Sequence, residues 1–203
     1  MADKIGVRLT LVSASPRRAE LLRRLSVPFD VIPSRAAEHW AGPDASTLAI
    51  ENARRKVERS SRFGDRSRLL LGADTLLQVN SQLLGKPAGA VSASQMLEKL
   101  SGREHEVITG VYITGPSEAG EGPPIWAEAS VSSVVRFHEL SRNQIREYID
   151  SGEWRDKAGA YAIQGLGQKF VAHLDGDFDN VVGLPVQVIH DLLIEKFVHF
   201  RLC

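Results

Sequence analysis

The chain has 203 residues, of which 43% are hydrophobic and 25% are charged, so its composition is that of a globular protein and excludes an intrinsically disordered one. Twenty-five lysines and arginines balance twenty-five aspartates and glutamates, and the formal net charge is zero. This balance argues against a protein whose main task is to coat nucleic acid, which needs a net basic surface.

The sequence carries no sign of an oxidised or membrane-bound protein. A single cysteine, Cys203, excludes an intrachain disulfide framework and a thiolate metal cluster. The first residues lack the apolar core of a signal peptide, because Arg8 and Thr10 interrupt it. No stretch approaches the about 20 apolar residues of a membrane span. We expect a cytoplasmic protein without membrane or nucleic-acid partners, folded as one domain over residues 1–203.

The first predicted elements are a strand that runs into a helix. Apolar side chains alternate with small or polar ones over residues 5–11, as in a half-buried strand. Ser15 then precedes Pro16 as a helix cap precedes the first helical residue. The helix is supported by apolar residues at helical spacing, namely Leu21, Leu22 and Leu25.

A second strand and helix follow. Residues 27–34 alternate as a strand does, and residues 46–63 predict a capped amphipathic helix. Lys56 lies seven residues after Ala49, so it falls on or beside the apolar face of that helix.

Residues 68–87 predict a buried strand that returns as a hairpin after Asn80 and Ser81. The remaining predicted elements are a helix over 92–102, strands over 105–115 and 128–140 separated by a loop over 116–124, a helix over 141–152 capped by Ser141, short strands and turns over 160–165 and 169–185, and a helix over 185–200. Alternating strands and helices together with hairpins predict a mixed α/β fold.

Two arginines at the start of a helix are the first functional signal. Arg17 and Arg18 follow the Ser15 cap, where the helix end is already partly positive, so cations are disfavoured there. Either both side chains point into water, or the turn binds an anion. The Ser13 and Ser15 hydroxyls, the free N–H groups and two guanidinium forks suit a phosphate.

Asp74 is the second signal, because apolar residues flank it on both sides. A buried carboxylate is costly unless it is paired, hydrogen-bonded or bound to a metal. The alternative is a structural aspartate that caps a turn. Glu38, Lys56 and Lys86 are further candidates, although each by itself is typical of a solvated residue.

Several familiar site motifs are missing from the sequence. It has no GxxxxGK[ST] phosphate loop, no HExxH and no GxSxG, and its six histidines lack metal-ligand spacing. A metal would therefore be held by carboxylate and phosphate oxygens, which favours Mg²⁺ or Mn²⁺.

Six blocks of sequence decide between these alternatives: "SASPRRAELL", "GADT", "GKP", "SGREHEVITGV", "DKAGAYAIQGLG" and "NVVGLP". In this order they resemble the Maf family of nucleoside triphosphate pyrophosphatases, from about Leu9 to Pro185. The resemblance implies a central mixed sheet flanked by helices, with two lobes around a cleft, similar to inosine triphosphate pyrophosphatases. It also implies metal-assisted hydrolysis of a nucleoside triphosphate to the monophosphate and pyrophosphate.

The segment "AYAIQG" resembles the branch that acts on dTTP and UTP. The branch that acts on 7-methyl-GTP is expected to carry Ser-Glu in place of Ile163 and Gln164. The family is also associated with nucleotide-pool cleaning and with arrest of septum formation. A non-catalytic, nucleotide-binding regulator of cell division is thus the alternative from another class. A homodimer is implied by analogy, with the apolar stripe of the last helix as one candidate interface and core packing as the other explanation.

The resemblance also implies roles for individual residues. Asp74 would be the catalytic residue and, with Glu38, a metal ligand; Glu38 is the weaker match, because Ala37 stands where the family often has an acidic residue. The implied phosphate-binding residues are Ser13, Arg17, Arg18, Lys56 and Lys86, and those linked to base selection are Arg17, Thr75 and Gln164.

Overall fold

A computed structural model of the protein describes residues 5–117 and 122–202. Part of the predicted loop over 116–124, and Cys203, lie outside these residues. The strands are β1 (Ile5–Val12), β2 (Phe29–Ile32), β3 (Arg68–Val79), β4 (Gln82–Leu84), β5 (Glu104–Gly115), β6 (Ile125–Phe137), β7 (Val171–Asp175) and β8 (Phe200–Leu202). The helices are α1 (Pro16–Arg23), α2 (Ala45–Glu58), α3 (Ala90–Leu100), α4 (Arg142–Ser151), α5 (Phe178–Val182) and α6 (Val186–Lys196). Two short 3₁₀ helices span Ala158–Ala160 and Gly165–Phe170.

The strands form one mixed sheet with the hydrogen-bonded order β2-β1-β3-β5-β6-β7, in which β4 also pairs with β3 and β8 with β1. β1 is parallel to β2, β3 and β8, and its Leu9 lies opposite both Phe29 and Leu69. The β3–β4 and β6–β7 pairs are antiparallel. The predicted mixed α/β architecture is therefore confirmed.

The chain divides into two compact units. Unit 1 comprises Met1–Asp74, Thr109–Val131 and Gly183–Cys203, and unit 2 comprises Thr75–Ile108 and Ser132–Val182. Strands β3, β5 and β6 contribute residues to both. Two lobes are as expected, whereas the cleft between them and the single domain over 1–203 stay predictions.

In unit 1 the helix α2 approaches the sheet at backbone distance. A Cβ on Gly72 of β3 would lie 2.4 Å from the carbonyl oxygen of Ala53, and one on Gly110 would lie 2.4 Å from the nitrogen of Ile50. Such contacts are impossible for any other residue, so these glycines set how close α2 lies. The helix buries the apolar cluster of Val12, Ala53, Val57, Leu70 and Tyr112.

Unit 2 has an aromatic core. The Phe137 ring contacts His105 at 4.9 Å and Tyr161 at 4.7 Å between centroids, both edge to face, as aromatic pairs prefer. Tyr148 contacts Phe170 in the same way at 4.9 Å. Along the chain, Tyr161 and Phe170 of this core lie on either side of Gln164, the predicted base-selecting residue.

Local signals predicted the element ends well in several places. Ser15 caps α1 with Pro16 as its first residue, Ser141 forms a complete capping box with Gln144, and Asn80 and Ser81 both have positive φ in the hairpin turn.

Other boundaries were wrong. Helix α2 begins at Ala45 and ends at Glu58 rather than spanning 46–63, because Asp44 accepts from the N–H of Thr47 and caps it. Further differences are β2 over 29–32 rather than 27–34, α3 over 90–100 rather than 92–102, β6 over 125–137 rather than 128–140, and α6 ending at Lys196 rather than at 200, after which β8 follows.

Two segments were assigned the wrong kind of structure. Residues 161–164 form no strand, and a 3₁₀ helix begins at Gly165. Residues 178–182 form the helix α5 rather than a strand or turn. Among the described residues, none of the helices has the length and apolar character needed to cross a bilayer.

The apolar stripe of the last helix is partly covered within the molecule. Phe197 is 3% exposed, and Val188, Leu192 and Leu193 are half-buried. Core packing thus accounts for part of the stripe, and the homodimer stays a prediction.

Candidate active site

Asp74 lies inside β3 and is 2% exposed, so it does not cap a turn. Burial of a carboxylate requires compensating partners. Lys56 of α2 provides the charged one: its Nζ donates to Oδ1 of Asp74 in a close contact. Lys56 is itself buried, on the face of α2 where its spacing from Ala49 placed it, and it is not the solvated residue that a lone lysine usually is.

The same ammonium group joins a second carboxylate to the site. Lys56 Nζ donates to Oε1 of Glu38 over 3.2 Å and to the carbonyl oxygen of Ala73 over 3.5 Å. The Glu38 side chain is 22% exposed, so of the two carboxylates that Lys56 contacts it is the one that solvent reaches. One cation between two carboxylates offsets their mutual repulsion and leaves the trio with a formal charge of −1.

Sequence reasoning missed Asn52. It is 1% exposed and lies one helical turn before Lys56 on the same face of α2. Its Nδ2 donates to Oδ2 of Asp74 over 3.0 Å. The available signal was an amide three residues after Ala49 and four after Leu48, which places it on the apolar face of the helix.

Arg18 lies near this group and carries a second positive charge. Its Nε donates to the carbonyl oxygen of Gly183 over 2.8 Å, which anchors the guanidinium to the backbone before α6. Burial lowers the pKa of Arg18, while the carboxylates of Asp74 and Glu38 act in the opposite direction. An arginine nonetheless stays protonated in a protein, so Arg18 is a permanent cation beside the two carboxylates.

The turn before α1 has the predicted form. The Ser15 Oγ accepts from the N–H of Arg18 over 3.5 Å, and the Oγ of Ser13 accepts from the N–H of Ser15 over 3.1 Å. Within residues 5–117 and 122–202, the half-buried Arg17 makes no side-chain hydrogen bond or ion pair. Its guanidinium donors are therefore available to a ligand.

The other three predicted site residues, Thr75, Lys86 and Gln164, belong to unit 2. Thr75 directly follows Asp74 and is half-buried, whereas Lys86 and Gln164 are exposed. Gln164 follows the buried Ile163 and precedes Gly165, which is exposed. Unit 1 thus brings Asp74, Lys56 and Glu38 into contact, with Asn52 bonded to Asp74 and Arg18 nearby.

The donor set limits what metal the site can hold. The described residues include no cluster of three or more histidine, cysteine, aspartate or glutamate side chains able to hold an ion. Asp74 and Glu38 offer two carboxylates. This fits Mg²⁺ or a similar hard cation, which proteins bind through one or two carboxylates with substrate phosphates and water as the other ligands.

Comparisons with known proteins agree with the six sequence blocks. The chain is 43% identical over 185 residues to the dTTP/UTP pyrophosphatase of Thermococcus onnurineus (strain NA1), which covers 91% of this chain and 95% of that protein. It is 41% identical over 179 residues to the dTTP/UTP pyrophosphatase of Symbiobacterium thermophilum, covering 88% of this chain and 89% of that protein.

A solved HAM1 protein from Coxiella burnetii matches 64% of this chain and 73% of its own, with a TM-score of 0.39 and 18% identity. The similarity of this chain to inosine triphosphate pyrophosphatases therefore stays a prediction. The family profile described as Maf-like protein matches residues 8–196. The chain belongs to the Maf family.

Proposed function

We propose that the protein is a nucleoside triphosphate pyrophosphatase that hydrolyses dTTP and UTP to the monophosphate and pyrophosphate. The observation that carries this proposal is the buried Asp74, bonded to Lys56 and Asn52 beside Glu38 and Arg18. The name dTTP/UTP pyrophosphatase, shared by relatives of about the same length, supports the substrate class.

Asp74 acts on the water. The oxygen of water bonds to the phosphorus atom that loses the α–β bridging oxygen, one proton of the water passes to the Asp74 carboxylate, and the monophosphate and pyrophosphate separate. Asn52 and Lys56 hold that carboxylate in one orientation. A preoriented base removes part of the entropic barrier before the reaction begins.

The triphosphate is bound by the turn before α1. Its N–H groups, the Ser13 hydroxyl and the guanidinium groups of Arg17 and Arg18 form the phosphate site, with Lys56 and Lys86 as further cations. A divalent Mg²⁺ or Mn²⁺, held by Asp74 and Glu38, would neutralise phosphate charge and polarise the water.

The base is selected by Arg17, Thr75 and Gln164. The Gln164 amide has both a donor and an acceptor, so it matches the adjacent carbonyl and N–H of thymine or uracil. The exposed position of Gln164 leaves this amide accessible to a base.

We also propose a cytoplasmic location, as expected for an enzyme of nucleotide pools.

The test is pyrophosphate release from dTTP, UTP and 7-methyl-GTP by one enzyme preparation, with Mg²⁺ and with Mn²⁺. We expect higher kcat/KM for dTTP and UTP, and no turnover after chelation. Preference for 7-methyl-GTP would overturn the substrate assignment in favour of the other branch. Tight nucleotide binding without pyrophosphate release would favour the non-catalytic regulator.

A further inference from the structure

Glu153 holds the turn that follows Gln164. One carboxylate oxygen, Oε2, accepts from the N–H of Leu166 over 2.9 Å, and the other, Oε1, accepts from the N–H of Gly167 over 3.0 Å. Glu153 follows the end of α4 and is half-buried, so these bonds join two segments of unit 2. Hydrogen bonds to an ionised acceptor are roughly twice as strong as neutral ones.

Tyr148 extends this contact to the other side of Gln164. Its hydroxyl donates to Oε1 of Glu153 over 3.1 Å and accepts from the N–H of Ala162 over 3.3 Å. The Tyr148 ring is itself 3% exposed and packs on Phe170. The backbone on both sides of Gln164 is therefore bonded to one Tyr148–Glu153 pair.

Gly165 is required for this arrangement. Its φ is +88°, in the region that side chains disfavour, and a Cβ there would lie 2.6 Å from Oε2 of Glu153. The glycine thus lets the chain turn directly after Gln164 and lets the carboxylate reach the next two N–H groups.

We propose that Glu153 is a positioning residue for base selection: it fixes the backbone around Gln164, so that the amide is held in the orientation that reads the pyrimidine. This inference rests on the base-selecting role of Gln164 in the proposed function. Glu153 need not touch the substrate, because the two N–H groups that it binds lie two and three residues after Gln164.

The variant Glu153→Gln separates positioning from general stability. A glutamine side chain has one acceptor oxygen, so it can serve only one of the two N–H groups. We expect KM for dTTP and for UTP to rise roughly tenfold, as one unsatisfied hydrogen bond implies, while kcat stays within about threefold. The inhibition constant of inorganic tripolyphosphate, which has phosphates but no base, should not change.

The matched control is Glu147→Gln, an exposed glutamate on α4 that leaves the turn untouched. Tyr148→Phe removes the hydroxyl and keeps the ring that packs in the core. It should also raise KM for dTTP and UTP, by about twofold to threefold, as loss of a neutral hydrogen bond implies. It carries the same test should Glu153→Gln fail to fold.

Gln164→Ala distinguishes the two proposals. If it raises KM for dTTP and UTP whereas folded Glu153→Gln and Tyr148→Phe do not, the positioning role is wrong and the proposed base selection stands. If Gln164→Ala leaves both KM values unchanged, the base-selecting role fails and the positioning role fails with it. A parallel rise in KM and in the tripolyphosphate inhibition constant would show a general structural effect and would also overturn the positioning role.

Discussion

The side chain of Asn52 connects the carboxylate of Asp74 to the backbone of residue 39. Its Nδ2 donates to Oδ2 of Asp74 and to the carbonyl of His39, each over 3.0 Å, and its Oδ1 accepts from the N–H of His39 over 2.8 Å. Since Glu38 directly precedes His39, one buried amide positions both carboxylates of the candidate site.

Asn52→Ala should lower both stability and turnover. Loss of these hydrogen bonds leaves buried groups unsatisfied, and we expect the free energy of unfolding to fall by about 1–3 kcal/mol. We expect kcat for dTTP to fall by roughly tenfold to a hundredfold, because Asp74 loses its fixed orientation. Denaturant unfolding and steady-state kinetics measure the two effects.

The control is Gln95→Ala, an exposed amide on α3, which should match the wild type in both assays. A folded Asn52→Ala protein with wild-type kcat would contradict the orienting role.

Asp74→Asn should keep the fold and lose turnover. Lys56 retains its ion pair with Glu38, so the buried ammonium group is not left without a carboxylate. We expect kcat for dTTP to fall by roughly 10²–10⁴-fold, the usual contribution of a general base. Pyrophosphate release is the measurement, circular dichroism verifies the fold, and Asp150→Asn on the exposed side of α4 is the control. Normal activity in the folded variant would show that Asp74 is not catalytic.

Gly72→Ala should displace α2 and with it the site. A Cβ at this position would lie 2.4 Å from the carbonyl oxygen of Ala53 and 2.7 Å from Val57, and a backbone neighbour cannot move by side-chain rotation. We expect the free energy of unfolding to fall by about 1–3 kcal/mol, as for other overpacked cores. Because α2 carries Asn52 and Lys56, kcat should fall as well.

Gly89→Ala is the matched control, because Gly89 precedes α3 with extended backbone and nothing lies within 4 Å of a Cβ built there. Equal stability of the two variants would contradict the close approach of α2 to β3.

His105 should make stability depend on pH. Burial lowers its pKa to about 4, from 6.5 for the free side chain. As pH falls below 6.5, the histidine of the unfolded chain binds a proton that the folded protein does not yet accept. The contribution of neutral His105 to the free energy of unfolding is therefore fully present above pH 6.5 and is lost as pH falls toward 4. Between pH 7 and pH 5 we expect a loss of about 2 kcal/mol, measured by denaturant unfolding at each pH.

In the structure His105 Nε2 is 2.8 Å from the hydroxyl of Tyr161. His105→Gln keeps a polar partner for that hydroxyl but cannot titrate, so its stability should change less between pH 7 and pH 5. His138→Gln replaces an exposed histidine and should keep the wild-type pH dependence. If the free energy of unfolding changes with pH identically in the wild type and in His105→Gln, His105 is not the source of the pH dependence.

Much of the fold was predictable, because many of its signals are local. The Ser15–Pro16 start of α1, the Ser141 cap of α4 and the Asn80–Ser81 turn each depend on a few neighbouring residues, and each prediction was confirmed. Strand β8 was missed because it has three residues and is fixed by pairing with β1 at the other end of the sequence.

The sequence by itself determined the family and the mixed α/β class and favoured the burial of Asp74, because block order, hydrophobic periodicity and a carboxylate between apolar runs are all visible along the chain. Only the tertiary structure decided which groups complete the site. Asn52 reaches Asp74 across 22 residues, and Glu153 reaches the N–H of Leu166 across 13. A buried amide or carboxylate is stable only where folding brings its hydrogen-bond partners to it, and no local pattern specifies those partners.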